Sequence, residues 1–204
     1  MPSELDIINF GLVEAQGRTI TSLAETVKGA ETAALLYPQA RDAAMTAHRW
    51  NFNIQRAQLP AWATAPLFGF NYQYNRPADM LYLAEIAGYA VGAPSLGAVY
   101  NDETEPPFAI EGNFILTDFP PPLRIKGGFR IVNPNFWHPT FIEYMRWTLA
   151  ELFVSPVANK ATERKAFYKR QREDVLQDAM TCNAIELPPE EQDDGSWVLS
   201  RIGP

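Results

Sequence analysis

Two histidines, one cysteine and a run of carboxylates are the residues of this 204-residue chain whose types could do chemistry. His48 lies in "ARDAAMTAHRWNF", residues 40–52, where small residues lead into Arg49, Trp50 and Phe52. An imidazole can move protons or bind a metal. No second ligand accompanies His48, so packing or hydrogen bonding is the expectation. His138 precedes Pro139 at an expected helix start, which favours a capping or loop role. Two histidines cannot build a His-rich metal site, and Cys182 alone allows neither an intrachain disulfide nor a Cys-based zinc site. Cys182 stands at an expected helix end with no nucleophile motif beside it, so an inert thiol is expected. Asp102, Glu103 and Glu105 in "NDETEPP" could share a proton or a metal, but their spacing suits a solvated turn. The chain carries no phosphate loop, dinucleotide fingerprint, nucleophile elbow or zinc-protease motif. Neither a cofactor nor a catalytic residue is expected.

Charge narrows the partners. A formal net charge of -7 disfavours general affinity for nucleic acid, whose phosphates need a concentrated basic face. Lys160, Arg164, Lys165, Lys169, Arg170 and Arg172 form one basic helical half, interrupted by Glu163, Glu173 and Asp174. Such a half is a solvated face or a contact for an acidic neighbour. The N-terminus "MPSELDIINF" has acids where a secretory signal carries cations. No stretch approaches the roughly 20 apolar residues that span a bilayer. Synthesis in the cytoplasm without a membrane anchor is expected.

The elements that would position these groups follow from periodicity. Ser3 with Asp6 resembles a capping box, and Leu5, Ile8 and Leu12 share a helical face that Gly17 ends. Ser22 with Glu25 suggests a short second helix closing at Lys28 and Gly29. A third should run from about Ala30 to Arg49, kinked or restarted at Pro38. Beyond Trp50 the period changes from 3.6 to 2. "NFNIQRAQL" and "FGFNYQYNRP" read as strands, the second aligning Phe68, Phe70, Tyr72 and Tyr74. "DMLYLAEIAG" reads as a strand, "FAIEGNFIL" as a hairpin, and "LRIKGGFRIV" as a strand in which Gly127 allows a bulge. Phe141, Ile142, Met145, Leu149 and Leu152 then mark one helix. Tyr168, Val175, Leu176 and Ala179 mark a second, and the two should pack as a hairpin across "VSP".

The expected fold class is therefore α+β in a single domain, residues 1–204. It comprises N-terminal helices (1–50), a central antiparallel β region (51–132) with a projecting loop (89–107), a C-terminal helical hairpin (133–185) and an extended arm (186–204). The 17 prolines punctuate the middle and the tail.

With its parts in this order, the chain resembles the tail tubular protein A family of podophages, the head-to-tail adaptor between portal and tail nozzle. The resemblance runs from about Leu5 to Ile202. It is carried by "YPQARDAAMTAHRWNFNIQRAQL", "FNYQYNRPADMLYLAEIAG", "EGNFILTDFPPPLRIKGGFRIVNPNFWHPTFIEYMRWTLAELFVSPV" and "SWVLSR". The chain departs from it at Gly127-Gly128, where larger strand residues are usual, and at Arg146-Trp147, in a helix usually richer in alanine. The resemblance implies a structural virion protein at the head-tail junction, a dodecameric ring and no catalysis. It implies as partners the portal protein, the nozzle (tail tubular protein B) and further copies of the chain, with tail fibres as an additional candidate. Genomic DNA would pass through the lumen unbound.

On that footing Lys165, Lys169 and Arg172, with Trp197, Val198 and Leu199 of the arm, are the candidate portal contacts. Tyr89, Tyr100, Asp102 and Glu103 are the candidate nozzle contacts. Trp50 and Phe52 are assigned to a seam between helices and sheet. The competing expectation is a soluble nucleic-acid-binding accessory factor using the basic helix and exposed aromatics.

Overall fold

The computed structural model describes residues 2–15, 17–87, 89–90, 108–157 and 162–186. It is an α+β fold of four helices and two antiparallel sheets. Helix α1 (Glu4–Glu14) starts at Ser3, whose hydroxyl accepts from the Asp6 amide while the Asp6 carboxylate accepts from the Ser3 amide. It ends where the Gly17 amide reaches back to the Leu12 carbonyl at 2.7 Å. Gly11 lies against α3 (Pro139–Val157): a Cβ there would stand 2.8 Å from Leu149 Cβ. The missing side chain is what lets these two helices approach so closely.

The expected short helix at Ser22 does not form. The Glu25 carboxylate instead accepts from the Thr21 amide and hydroxyl and from the Ser22 amide, closing a turn backwards along the chain. Lys28 and Gly29, expected at a helix end, open α2 (Lys28–Thr46), which starts from an extended Val27 with no side-chain cap. The α2 helix also runs through Pro38 without interruption, where a kink or restart was expected. Pro38 and Ala34 both lie on its exposed face, so the carbonyl that loses its donor faces water.

Helix α3 is the centre of the body, packing against α1, α2 and α4 (Thr162–Ile185). That position explains why Phe141, Tyr144, Met145, Thr148, Leu149, Phe153 and Val154 are all buried. Leu152, assigned to the apolar face from spacing, is partly exposed, and Phe153 takes its place in the core. The α3 helix continues past the "VSP" break to Val157, and α4 packs on it as the expected hairpin.

Sheet A has the order β1-β7-β3-β4: Ile54–Leu59, Leu123–Phe129, Met80–Ile86 and Tyr89–Ala90. Sheet B has the order β2-β6-β5: Tyr72–Asn75, Phe114–Thr117 and Phe108–Glu111. Leu59, Tyr74, Leu83, Ile115, Leu123, Ile125 and Phe129 from both sheets share one core, separate from that of the helices. Two strand expectations shorten. Asn51–Asn53 is a 3-10 turn, so Phe52 precedes β1, and Phe68 and Phe70 precede β2 in a bend-rich loop. The hairpin closes as expected, through Gly112 at φ +56°.

Helices and sheets are joined by few but specific contacts. Asp42 of α2 stands between two guanidiniums: Oδ2 lies 2.7 Å from Arg130 Nη2, just beyond β7, and Oδ1 lies 3.0 Å from Arg41 Nη2. Arg41 is buried, so Asp42→Asn would leave it without its counter-charge. A loss of about 1–3 kcal/mol is expected, discounted for the partial exposure of Arg130. Urea unfolding at neutral pH measures it. Alongside, Asn53 donates to the Met45 carbonyl and accepts from the Tyr82 hydroxyl at 3.3 Å, linking α2, the 3-10 turn and β3.

Candidate interaction surfaces

The basic half of α4 is compensated at two positions, Lys169 and Arg172. Arg172, expected to face a partner, turns inward and pairs with Glu151 of α3 at 3.1 Å. Lys169 lies 3.8 Å from Glu173 one turn on, while Lys165 is exposed. The helix is thus fastened to α3 by one of the three cations proposed for contact, leaving Lys165 and Lys169 on its open side. Val13 of α1 and Phe167 of α4 expose apolar surface beside a shallow groove that Tyr168 floors. The Tyr168 hydroxyl donates to the Glu14 carbonyl at 2.8 Å, tying α4 to the end of α1.

At the β end, the loop before β2 presents Leu67, 98% exposed, and Phe68, 85% exposed. Ile110 of β5 adds a half-exposed apolar side chain on the same sheet region. Large apolar side chains this bare mark a candidate interaction surface. Sequence reasoning put Phe68 into a strand face. The signal that could have corrected it was the flanking Pro66 and Gly69, the latter at φ +88°. Trp62, between β1 and β2, is half-exposed and meets Phe114 edge-on at 5.6 Å.

Trp50 and Phe52 sit within the helical core rather than between the two cores. The Trp50 ring lies 5.1 Å from Phe141, and Phe52 lies 4.8 Å from the same ring. The crossing to the sheet is made one residue further on, by Asn53, and by Leu81 and Ile131, which pack against the helical core.

Both histidines converge on the C-terminal end of α4, at Asn183 and at Glu186 just beyond it. Asn183 Oδ1 accepts from the Asn51 amide at 2.8 Å, so its Nδ2 must be the donor to the Arg49 carbonyl and to His48 Nε2, 3.1 Å away. His48 is therefore an acceptor and neutral there. His138 Nδ1 accepts from the Thr140 amide, capping α3, and its Nε2 lies 3.3 Å from Glu186. Asn51 Nδ2 also donates to Glu186, at 3.2 Å. The contacts of His48, Arg49 and Asn51 with Asn183 and Glu186 span more than 130 residues of chain, so no local pattern could have announced them.

Burial holds the His48 pKa below its ordinary 6.5. Above that value both folded and unfolded imidazoles are neutral, and stability is undiminished. Below it the unfolded chain takes up the proton first, so stability falls as pH drops towards the depressed folded value. Unfolding curves from pH 7.5 to 5 should show that decline, and His48→Gln should flatten it while changing neutral-pH stability little.

Trp197, Val198, Leu199, Tyr100, Asp102 and Glu103 lie outside the described residues, as does the side chain of Tyr89. Among the described residues, no group of three or more His, Cys, Asp or Glu side chains is placed to hold a metal ion, and no helix is long and apolar enough to cross a membrane. Compared with known families and with curated proteins, the chain matches no family model and no curated sequence.

Proposed function

We propose that the chain is a head-to-tail adaptor of the podophage tail tubular protein A type. Copies would form a ring that extends the portal channel, retains the packaged genome and passes it on at ejection. The observation that carries the reading is the separation of two cores with bare apolar side chains at each: Val13 and Phe167 on the helices, Leu67 and Phe68 on the β region. A protein joined to unlike partners at its two ends needs distinct surfaces of this kind, and a ring needs unlike, head-to-tail contacts between its copies. The order of sequence motifs that resembles the family supports the same reading. The helices would face the portal, through Lys165, Lys169 and the arm residues Trp197, Val198 and Leu199. The β region would face the nozzle, through Leu67 and Phe68 and the loop bearing Tyr89, Tyr100, Asp102 and Glu103. DNA would slide past an acidic wall rather than bind it.

Sedimentation of the purified chain with its portal tests the proposal. Co-migration in a large complex is expected, and Leu67→Asp with Phe68→Asp should leave portal joining intact while abolishing nozzle joining. Loss of portal joining in that variant would contradict the assignment of ends. Salt-dependent binding of the isolated chain to DNA would favour the nucleic-acid accessory reading instead.

A further inference from the structure

The outer face of sheet A divides into two parts. Near the end of β7, Gly128 is covered by Tyr82, which reaches towards the helices. Near its start, the face opens into a cleft of about 720 Å³. Antiparallel register sets Arg56 of β1 opposite Lys126 of β7, and Lys126 opposite Glu85 of β3, with Arg124 two residues before Lys126 on the same side. Phe119 and Pro122, from the loop entering β7, form an apolar wall. Lys126 is 3.8 Å from Glu85, but among the described residues neither Arg56 nor Arg124 has a paired carboxylate. Like charges on one sheet face repel. Three cations against one acid, beside an apolar wall, form a surface fitted to an extended acidic peptide.

The chain carries such a peptide. After Glu186 come "LPPEEQDDGSWVLS", with Glu190, Glu191, Asp193 and Asp194 and no cation before Arg201. Its root is placed: Glu186 is held to Asn51, five residues before Arg56. Arg56 is thus within about 18 Å of Asn51 along the chain, and Glu190 to Asp194 can lie about 13–28 Å from Glu186. A segment tethered at that distance reaches its site at an effective concentration no free acidic peptide matches. We infer that the acidic run Glu190–Asp194 of the same chain seats in the Arg56–Arg124–Lys126 cleft, with Pro188 and Pro189 approaching the Phe119 and Pro122 wall. The inference stands apart from the adaptor reading, since it concerns one chain in solution.

Carbodiimide cross-linking of the full chain, mapped by mass spectrometry, tests it directly. Lys126 is the amine in the cleft, and its bond to Glu85 serves as an internal reference in every sample. A second bond, from Lys126 to Glu190, Glu191, Asp193 or Asp194, is expected. It should fall about fivefold in Arg56→Gln with Arg124→Gln, the product of two exposed ion pairs of ordinary strength. It should also fade as salt approaches about 1 M, where the screening length shrinks to about 3 Å. Mixing isotopically light and heavy chains should give no hybrid cross-links. Hybrid products would overturn the assignment to the same chain. Lys126 joined instead to Asp102, Glu103 or Glu105, or to Glu85 alone, would overturn the assignment to the arm.

Discussion

Trp50→Ala is expected to lower the unfolding free energy by about 3–5 kcal/mol, the range for deleting a fully buried large aromatic side chain. The ring is 1% exposed and touches four others: His48 at 5.0 Å, Phe141 at 5.1 Å, and Phe52 and Tyr144 at 6.3 Å. Its Nε1 donates to the Ala44 carbonyl at 2.9 Å, closing the end of α2 onto the segment that follows it. The substitution therefore opens a cavity where α2, α3 and the entry to β1 meet, and removes the bond that sets the chain's direction out of α2. Trp50→Phe keeps much of the ring contact and should cost about 1–2 kcal/mol less than the alanine variant. Chemical denaturation with far-UV and near-UV detection measures both. An alanine variant as stable as the parent would show that this aromatic cluster does not hold the helices together.

Gly127→Ala is expected to cost about 3 kcal/mol, at the upper end for overpacking, because the obstacle is backbone. A Cβ there would stand 2.5 Å from the Tyr82 carbonyl oxygen in the middle of sheet A. At Gly128 the obstacle is different: a Cβ would run into the Tyr82 ring itself. The two neighbours should separate in a double-mutant cycle. Tyr82→Ala should relieve much of the penalty of Gly128→Ala and none of that of Gly127→Ala. Equal rescue at both positions would contradict this packing. The Gly-Gly pair lies within β7, and the bulge that the sequence allows at Gly127 falls on its partner β3, whose register shifts between Met80 and Tyr82 and between Leu83 and Glu85.

Periodicity made most of the helices and strands legible, because faces such as Ile8 and Leu12 or Leu123, Ile125 and Phe129 are set by burial alone. Ser22 and Glu25 misled because the same side chains that start helices also close turns, and nothing local distinguishes the two. Pro38 misled because its cost depends on whether the freed carbonyl is wet, which only the packed structure determines. Arg172 looked available on a basic helix, and its partner Glu151 lies on another helix. Asp42 with Arg130 and Asn51 with Asn183 are likewise paired across segments distant in sequence. Phe68, which with Leu67 is proposed to meet the nozzle, was hidden inside an apparent strand alternation that the chain does not adopt there.

The adaptor reading stands or falls on assembly. Electron micrographs of the purified chain, alone and mixed with the portal and nozzle proteins of its particle, test it most directly. A ring stacked beneath the portal, with the β region towards the nozzle, is the predicted result. A chain that remains monomeric and never joins the stack, under conditions where portal and nozzle are themselves intact, would contradict it.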